Sequence, residues 1–400
     1  MIILKINVAV IFGCCSVEHE VSIISAVQTM NNMDKEKYNI IPIYITKHGS
    51  MLTSEKMLDM NSFKSIDTLI KNSRRVSLVN THGRVYLTYL DKSFFKKSSP
   101  CEINVAFPVV HGTNCEDGTL AGFLEFLRLP YVGCDVLSAA IGMDKAKFKT
   151  VLEKENIPVL PCLTFSARQW AENQDSIKNN INAEIGYPLI VKPINLGSSV
   201  GITKVENEQE LFDAVNLACS FSEGLLVEKA ITNLREINCS VLGDNDSCTA
   251  SVLEEPIMSD KILSYSDKYL SNSKSQGSKG MASLSRKIPA QLSAAKTAEI
   301  QSLAEKAFTA IGASGVCRID FLVDTENDDT VYVNEANTIP GSLSFYLWEA
   351  SGMPYKKLID ELISLAFKRE RKRSNLMYTI ETNILSNANL SGTKGSKGKL

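Results

Sequence analysis

The sequence has 400 residues, of which 44% are hydrophobic and 22% are charged, and its formal net charge at pH 7 is −2. This length and composition predict a globular protein with two or three separate cores. The near-neutral charge gives no reason to expect nucleic acid or a membrane surface as a partner, and no apolar run approaches the roughly 18 to 20 residues of a membrane span. The 10 cysteines form no C-x-x-C pair, which favours reduced thiols and a cytoplasmic protein.

The first third of the chain alternates predicted strands and helices. Val8 to Phe12 and Ile40 to Ile45 are predicted strands, and a helix through Ile24 to Met30 lies between them. This alternation favours a parallel sheet, in which ligands bind at the carboxyl ends of the strands, where Glu18 falls. The apolar run from Ile103 to Val110 predicts another buried strand of the same sheet.

His111 follows that strand directly and precedes an acidic loop bracketed by Gly112 and Gly118. A lone histidine is more often structural than catalytic, but this position favours a functional role. A helix is predicted from Thr119 to Leu127, with acidic residues leading into its first turn. The preceding residues 47–100 are irregular apart from a predicted hairpin between Arg75 and Leu90, and we assign them no chemistry.

A long helix is predicted from Leu137 to Glu155, and it carries Lys145, Lys147 and Lys149. Lysines on a helix usually cover its solvated face. We therefore expect Lys147 and Lys149 to be solvent-exposed.

Three predicted strands follow, at Leu160 to Phe165, Pro188 to Pro193 and Leu225 to Lys229. Lys192 stands in an otherwise apolar strand, where its ammonium group needs an anion to offset desolvation. Glu228 and its neighbour end another apolar strand in charge, as expected for groups that meet an adenine or ribose in a cleft between domains.

The segment from Ile194 to Ile202 is a loop of small and hydroxyl-bearing residues that includes Ser198. It lacks the spacing of a P-loop, and no G-x-G-x-x-G motif follows the first strand, so those two nucleotide folds are not supported. Backbone N–H groups and serines of such a loop can cover phosphates. Alone this signal is weak, because Gly-Ser-Ser turns are common.

Two polar stretches interrupt the rest of the chain. Residues 255–288 are rich in Ser and Lys and predict either a disordered loop or a mobile lid over an active site. Ser344 to Phe367 is mainly helical by pattern. The basic run Lys368 to Arg373 and the Gly-Lys tail that follows depart in composition, and we predict a flexible tail with a basic contact to an anion as a minor alternative.

Two short stretches, Gly315 to Phe321 and Tyr332 to Asn337, alternate as strands and are separated by turn-forming residues. A hairpin of these strands would place Asp320 beside Glu335 and Asn337. Two carboxylates and an amide oxygen suit a hard cation such as Mg²⁺, whose remaining positions are usually filled by water and substrate phosphate. The pattern predicts a nucleotide site, with an exposed acidic hairpin as the alternative. The Pro340-Gly341 turn that follows would let backbone amides approach a ligand.

Taken together and in order, these stretches resemble the D-alanine:D-alanine ligases of the ATP-grasp superfamily, from about residue 8 to residue 365. Each motif alone is weak, and the ordered set is strong. The resemblance rests on the following residues: Glu18-His19-Glu20-Val21-Ser22, His111-Gly112 with Glu116-Asp117-Gly118, Met143-Asp144-Lys145, Val191-Lys192-Pro193, Gly197-Ser198-Ser199-Val200-Gly201, Lys268-Tyr269, Arg318-Ile319-Asp320, Asn334-Glu335-Ala336-Asn337-Thr338 and Pro340-Gly341.

The resemblance implies an α/β fold, in which an N-terminal parallel-sheet (pre-ATP-grasp) domain precedes a two-part ATP-grasp fold. We expect the N-terminal substrate domain at 1–135, the central ATP-grasp subdomain at 136–231, the C-terminal subdomain at 232–370 with its lid loop at 255–288, and the tail at 371–400. The implied reaction is ATP-dependent ligation of two D-alanines through an acyl phosphate, for peptidoglycan precursors. Relatives are often homodimers.

The resemblance also implies roles for individual residues. Asp320, Glu335 and Asn337 are the expected ligands of Mg²⁺ or Mn²⁺. The expected ATP contacts are Lys145, Lys192, Ser198, Glu228, Lys229 and Glu236. The expected contacts to the substrates and to the reacting atoms are Glu18, His111, Lys268, Tyr269, Arg318, Gly341, Tyr346 and Leu347. Among them, Glu18 would receive the first D-alanine's ammonium, while Arg318 and the Gly341 N–H would stabilise the tetrahedral oxyanion.

Some residues bear on the choice of acceptor. Tyr269 is absent from relatives that make D-alanyl-D-lactate, so its presence favours an amine acceptor. Cys14 and Cys115 replace usual glycines, and Cys115 would then be expected to avoid positive φ. Tyr346 stands where a serine usually helps hold the acceptor's carboxylate. These departures leave open a related ligase that uses D-serine, and a nucleotide-binding regulator without turnover.

Overall fold

The structure is a computed structural model, and it describes residues 5–91, 99–197, 200–257 and 286–380. Within these ranges the chain forms three β-sheets. The sheets lie in residues 6–110, 162–229 and 234–337. The division of the chain into domains stays a prediction.

The first sheet has the strand order β6-β5-β4-β3-β2-β1-β7. Its strands are β1 (Ile6–Gly13), β2 (Tyr38–Ile45), β3 (Met51–Thr53), β4 (Arg74–Thr81), β5 (Arg84–Tyr89), β6 (Cys101–Ile103) and β7 (Val105–Val110). β1 pairs in parallel with β2 and β7, and the strands from β2 to β6 pair antiparallel. The predicted parallel strands and the predicted hairpin of β4 and β5 are confirmed.

Three helices accompany this sheet: α1 (His19–Asn32), α2 (Ile66–Asn72) and α3 (Thr119–Phe126). The prediction that residues 47–100 are irregular outside the hairpin was wrong. Besides β3 and α2, this stretch contains 3-10 helices at Glu55–Leu58 and Met60–Ser65. The strand has three residues and the helices span only one or two turns, so their sequences show too little periodicity for the elements to be recognised.

The predicted single helix from Leu137 to Glu155 is in fact two, α4 (Val136–Met143) and α5 (Lys145–Lys154). Asp144 between them is extended, with φ −87° and ψ 100°, and its side chain accepts a hydrogen bond from the Lys147 N–H. Aspartate is a favoured N-cap because it satisfies one of the unpaired N–H groups at a helix start. The second helix therefore begins at Lys145.

The second sheet is antiparallel, with the order β10-β9-β11-β8. Its strands are β8 (Cys162–Ser166), β9 (Leu189–Pro193), β10 (Thr203–Val205) and β11 (Gly224–Lys229), and its helices are α6 (Ala167–Glu184) and α7 (Glu208–Cys219). The apolar residues of β9 and β11 pack against Trp170 of α6 and Leu211 of α7 in one core.

The third sheet has the order β14-β13-β12-β15-β16. Its strands are β12 (Leu234–Gly243), β13 (Cys248–Pro256), β14 (Arg286–Lys287), β15 (Gly315–Asp324) and β16 (Thr330–Asn337), and α8 (Ala294–Ala310) packs beside it. β15 and β16 pair antiparallel, which confirms the predicted hairpin. None of the helices in the described ranges combines the length and apolar composition needed to cross a bilayer.

The chain continues into α9 (Phe345–Ala350) and α10 (Tyr355–Ser374). Leu358 and Leu362 of α10 share a core with Val105 of β7 and Val316 of β15. This core joins the first sheet to the third. It therefore fixes the carboxyl ends of β1 and β7 relative to the β15–β16 hairpin.

The basic run at the end of α10 is helical, so the prediction that the tail is already flexible at residue 371 was wrong. Arg369 donates hydrogen bonds to the carbonyl oxygens of Tyr131 and Gly133. Lys368 and Lys372 pair with Asp246. Of these cations only Lys372 falls in the predicted tail, and it lies in the last turn of a helix, where positive charge is favourable, and pairs with an anion as the alternative expected. Residues 381–400 lie outside the described ranges.

Candidate active site

A row of polar residues crosses one face of the third sheet. The strand register pairs Glu254 with Asn238, Asn238 with Asp320, and Asp320 with Glu335. Residues directly opposite each other in a sheet point to the same face. The predicted neighbourhood of Asp320 and Glu335 is confirmed, and the row extends it by two further strands.

Asp320 is held by two neighbours. Arg318 donates from Nε and Nη2 to the two carboxylate oxygens of Asp320, both at 2.7 Å. Asn337 donates from Nδ2 to Oδ2 of Asp320 at 3.0 Å. The three side chains form a single hydrogen-bonded unit at the end of the hairpin.

Lys145 joins this hairpin to the loop after β9. Its Nζ lies 3.4 Å from Oε2 of Glu335 and donates to the Leu196 carbonyl oxygen at 2.7 Å. Its own N–H donates to the carbonyl oxygen of Ile194. Lys145 is buried, so it places a positive charge beside the acidic row with little screening by water.

A buried ion cluster lies behind Lys145. Oε1 of Glu228 lies 2.5 Å from Nζ of Lys192, and Oε2 lies 2.5 Å from Nζ of Lys149. The prediction that Lys149 is solvated was therefore wrong. Lys145 and Lys149 are four residues apart and share the buried face of α5, a spacing that the sequence already contained. Lys147, by contrast, is exposed as expected.

Charge balance sets the protonation of this cluster. Burial disfavours the Glu228 carboxylate, but the two ammonium groups outweigh it and hold its pKa below the ordinary value. Burial also lowers the pKa of Lys149, with Glu228 opposing that effect. One carboxylate thus faces two cations.

Asn334 is a contact that the sequence reasoning did not single out. The register shifts between Asp320 and Phe321, so Asn334 is an extra residue in β16. Its Oδ1 accepts a hydrogen bond from Nζ of Lys192 at 3.2 Å. Bulges of this kind redirect side chains beside functional sites, but they leave no clear sequence signal.

Glu18 enters the same cleft from the first sheet. It is buried and precedes α1 directly. A Cβ on Gly112 would lie 2.9 Å from Oε2 of Glu18, and a Cβ on Gly197 would lie 3.3 Å from it. Two loops, one after β7 and one after β9, therefore approach the Glu18 carboxylate with glycines.

His111 is buried at the end of β7. Its Nδ1 lies 2.8 Å from the carbonyl oxygen of Ile339, so Nδ1 carries the proton and Nε2, 3.3 Å from the Ser25 hydroxyl, is the acceptor. Burial lowers the pKa of His111, although Glu18 opposes that effect. The neutral imidazole holds the turn after β16 against α1.

Glu116 belongs to the acidic motif after β7, and the sequence alone indicates no separate role for it. Its two carboxylate oxygens accept hydrogen bonds from the N–H groups of Gly112 and Ile339, each at 2.9 Å. Burial, with the nearby Glu18 carboxylate, raises the pKa of Glu116 to about 8. Its position in the acidic loop was the available signal, and its bond to a residue 223 positions away was not readable from the sequence.

The turn after Gly341 is left-handed. Ser342, Leu343 and Ser344 have φ values of 50°, 56° and 49°. Each such residue costs roughly 1–2 kcal/mol relative to right-handed backbone. Hydrogen bonds from Ser342 to Ser25 and Gln28 of α1 hold the turn in place.

The two cysteines that replace usual glycines behave differently. Cys14 adopts φ 82°, the conformation that glycine adopts without strain. Cys115 is absent from the described residues with positive φ, as predicted, and Asn114 adopts φ 63° instead. Both cysteines are buried in one core, and neither forms a disulfide.

Between these elements lies a cleft with about 430 Å³ of empty space, part of which is open solvent. Its walls include Glu18, Gly112, Lys145, Gly197, Glu335 and Asn337. Lys229 is exposed and donates to the Tyr187 carbonyl oxygen, and Glu236 lies on β12 opposite Leu322. Ser198, Lys268 and Tyr269 lie outside the described residues.

The donor chemistry at the hairpin suits a hard divalent cation. Two carboxylates and an amide oxygen belong to neighbouring side chains, and a small cation of this type accepts water and phosphate as further ligands. Across the described ranges, no group of three His, Cys, Asp or Glu side chains forms a metal site. A cation here would need the amide of Asn337 or a ligand from substrate.

Glu228→Gln tests the buried ion cluster. We expect the free energy of unfolding at pH 7 to fall by about 3 kcal/mol, because two buried ammonium groups would lose their counter-charge. Urea denaturation measures this change, and Glu223→Gln, which neutralises an exposed glutamate just before β11, is the control. A loss below 1 kcal/mol would contradict the role given to Glu228.

His111→Gln tests the pH dependence of the loop contacts. The folded pKa of His111 is lowered, so the unfolded chain binds more protons near pH 6 and stability falls as the pH drops through about 6.5. The contribution of His111 reaches at most about 1.4 kcal/mol per pH unit. We expect His111→Gln to lose this slope in denaturation from pH 7.5 to 5.5, and the exposed His48→Gln to keep it. Equal slopes would refute the assignment.

Comparison with known proteins agrees with this geometry. The family model described as D-ala D-ala ligase N-terminus matches residues 7–134, and that described as D-ala D-ala ligase C-terminus matches residues 151–364. The D-alanine–D-alanine ligase of Caldicellulosiruptor bescii is 42% identical, over 94% of this chain and 99% of its own length. That of Thermosipho africanus is 39% identical, over 95% of this chain and 98% of its own.

Solved structures overlap to a similar extent. The D-alanine-D-alanine ligase of Coxiella burnetii has a TM-score of 0.76 and 33% identity, covering 92% of this chain and 96% of its own. The VanG D-Ala:D-Ser ligase of Enterococcus faecalis also has a TM-score of 0.76, with 32% identity over 91% of this chain and 100% of its own. The predicted α/β fold with an ATP-grasp core is thereby confirmed, and the chain belongs to the D-alanine–D-alanine ligase family.

Proposed function

We propose that this chain joins two D-alanine molecules into D-alanyl-D-alanine for peptidoglycan precursors, with ATP as co-substrate. The observation that carries this proposal is the cleft in which Glu18 of the first sheet, Lys145 of α5 and the Asp320–Glu335 row of the third sheet meet. A carboxylate is a poor electrophile and repels a triphosphate. Such a reaction requires cations that bring the two anions together, and Lys145 with a metal ion held by the acidic row would supply them.

In the proposed reaction the first D-alanine's carboxylate attacks the γ-phosphorus of ATP, which gives an acyl phosphate and ADP. The second D-alanine's amine then attacks the acyl carbon, and phosphate leaves as the amide forms. Glu18 receives the ammonium group of the first D-alanine, and His111 holds the wall behind it. Arg318 and the Gly341 N–H stabilise the oxyanion of the tetrahedral intermediate.

Lys145 and Lys192 act on the ATP phosphates in this proposal. Glu228 orients Lys192, because one of its oxygens lies 2.5 Å from the Lys192 ammonium and the other pairs with Lys149. Glu228, Lys229 and Glu236 would also be the contacts to adenine and ribose, and Ser198 would cover the phosphates. Lys268, Tyr269 and Leu347 remain predicted contacts on the acceptor side.

Asp320, Glu335 and Asn337 would hold Mg²⁺ or Mn²⁺. The cation would neutralise charge on the phosphates as they transfer. Arg318 and Lys145 balance the two carboxylates, so the acidic row is held by cations of the protein itself.

D-Alanine is the proposed acceptor, because the curated relatives near 40% identity bear the name D-alanine–D-alanine ligase. The similarity to the VanG D-Ala:D-Ser ligase makes D-serine the acceptor to test against it. A catalytic protein is proposed over a regulator without turnover. We also propose a cytoplasmic homodimer, with domains at 1–135, 136–231 and 232–370.

The test of this function is phosphate release from ATP, with product masses recorded. We expect release and D-alanyl-D-alanine with D-alanine alone, and no release after EDTA treatment, since the cation is required. D-Serine and D-lactate are added in separate reactions with D-alanine. A mixed product that dominates would reassign the acceptor, and no release in any mixture would refute ligation.

Glu335→Gln tests the acidic row. We expect ligation to fall by at least about 100-fold, because the change removes a charge proposed to hold the cation. Circular dichroism and the thermal unfolding midpoint should stay near wild type, since Glu335 is only half-buried. The control is Asp328→Asn, which neutralises an exposed carboxylate in the turn of the same hairpin. Unchanged turnover in Glu335→Gln would exclude it as a ligand.

A further inference from the structure

Arg286 on β14 packs against Tyr346, the residue that departs from the family pattern. Its guanidinium carbon lies 4.2 Å from the centroid of the Tyr346 ring, which is cation–π geometry. Its Nη1 lies 3.4 Å from Oε2 of Glu254. The sequence reasoning assigned no role to Arg286 or Glu254.

The strand register places Arg286 on the face of the acidic row. Arg286 pairs with Pro256, which is two residues from Glu254 and therefore shares its face. Glu254 in turn heads the row that leads through Asn238 to Asp320. Two strand spacings, about 10 Å, separate the positions of Glu254 and Asp320. That span leaves room for one amino acid between the reacting end and Arg286.

The surroundings of Arg286 are largely closed to water. The side chain of Arg286 is 9% exposed and that of Glu254 is 6% exposed. Burial, followed by the Glu254 carboxylate, raises the pKa of Tyr346, so its hydroxyl stays neutral. A carboxylate bound here would meet a desolvated guanidinium, where ionic hydrogen bonds are strong.

The two arginines of this face hold their carboxylates differently. Arg318 donates two hydrogen bonds to Asp320, each 2.7 Å long. The contact from Arg286 to Glu254 is longer, at 3.4 Å, and comes from Nη1. The planar fork of arginine matches a carboxylate at two points, so the edge of Arg286, whose guanidinium carbon lies over the Tyr346 ring, has the donor geometry that a carboxylate requires.

We propose that Arg286, held over the Tyr346 ring, binds the α-carboxylate of the acceptor amino acid and makes the enzyme select acceptors that have one. Tyr346 stands where the family usually has a serine that helps hold this carboxylate, and here its ring positions Arg286 instead. Glu254 orients the guanidinium from the other side. This assignment rests on the proposed ligation and names a specificity residue within it.

The test is a competition between D-alanine and D-alaninamide. D-Alaninamide has no carboxylate to phosphorylate, so it can act only as acceptor and gives D-alanyl-D-alaninamide. The mass ratio of the two products from one reaction reports acceptor choice alone, whatever fraction of the enzyme is folded. We expect wild type to favour D-alanine and Arg286→Gln to reduce that preference by about 10- to 100-fold.

Matched variants complete the test. Arg286→Lys should keep part of the preference, since it keeps the charge but loses the fork. Lys287→Gln, which removes the exposed neighbouring cation paired with Glu255, should leave the product ratio unchanged. A ratio in Arg286→Gln within twofold of wild type would overturn the proposal. The absence of both products in wild type would instead refute the ligation.

Discussion

The central constraint in this protein is the placement of like charges side by side. Antiparallel pairing of β15 and β16 brings Asp320 opposite Glu335, and adjacent carboxylates repel. Each carboxylate is balanced by a cation from a different place, Arg318 on its own strand and Lys145 on α5. Lys145 also donates to the Leu196 carbonyl oxygen, so this balance links α5 to the hairpin and to the loop after β9.

Charges are also balanced between different elements in the buried ion cluster behind the hairpin. Glu228 of the second sheet is buried between two ammonium groups, and Lys192 also binds Asn334 of the third sheet. Neutralising charge across elements ties the second sheet to the third. Glu116 connects the first sheet to the third. Its side chain accepts hydrogen bonds from N–H groups in the loop after β7 and in the turn after β16. The cleft lies where these ties converge.

Much of this arrangement was predictable from the sequence. The parts that were not depend on contacts between distant segments. The hairpin was visible because strand alternation places Asp320, Glu335 and Asn337 together regardless of the remaining fold. Lys149 was not, because a lysine on a helix can face solvent or a buried carboxylate, and its partner Glu228 lies 79 positions away in the chain. Arg286 and Asn334 depend on register and on a bulge, which arise from pairing between distant segments.

The left-handed turn at Ser342–Ser344 has a consequence for the order in which the molecule assembles. Its backbone is unfavourable by itself, and its hydrogen bond to Ser25 joins residues 317 positions apart. Contacts with so long a sequence separation form late, because the intervening chain must first be ordered. The segment that leads into Tyr346 therefore takes its shape only after both ends of the chain have met. The first sheet completes its core in the same event, because Leu358 of α10 packs with Val105 of β7.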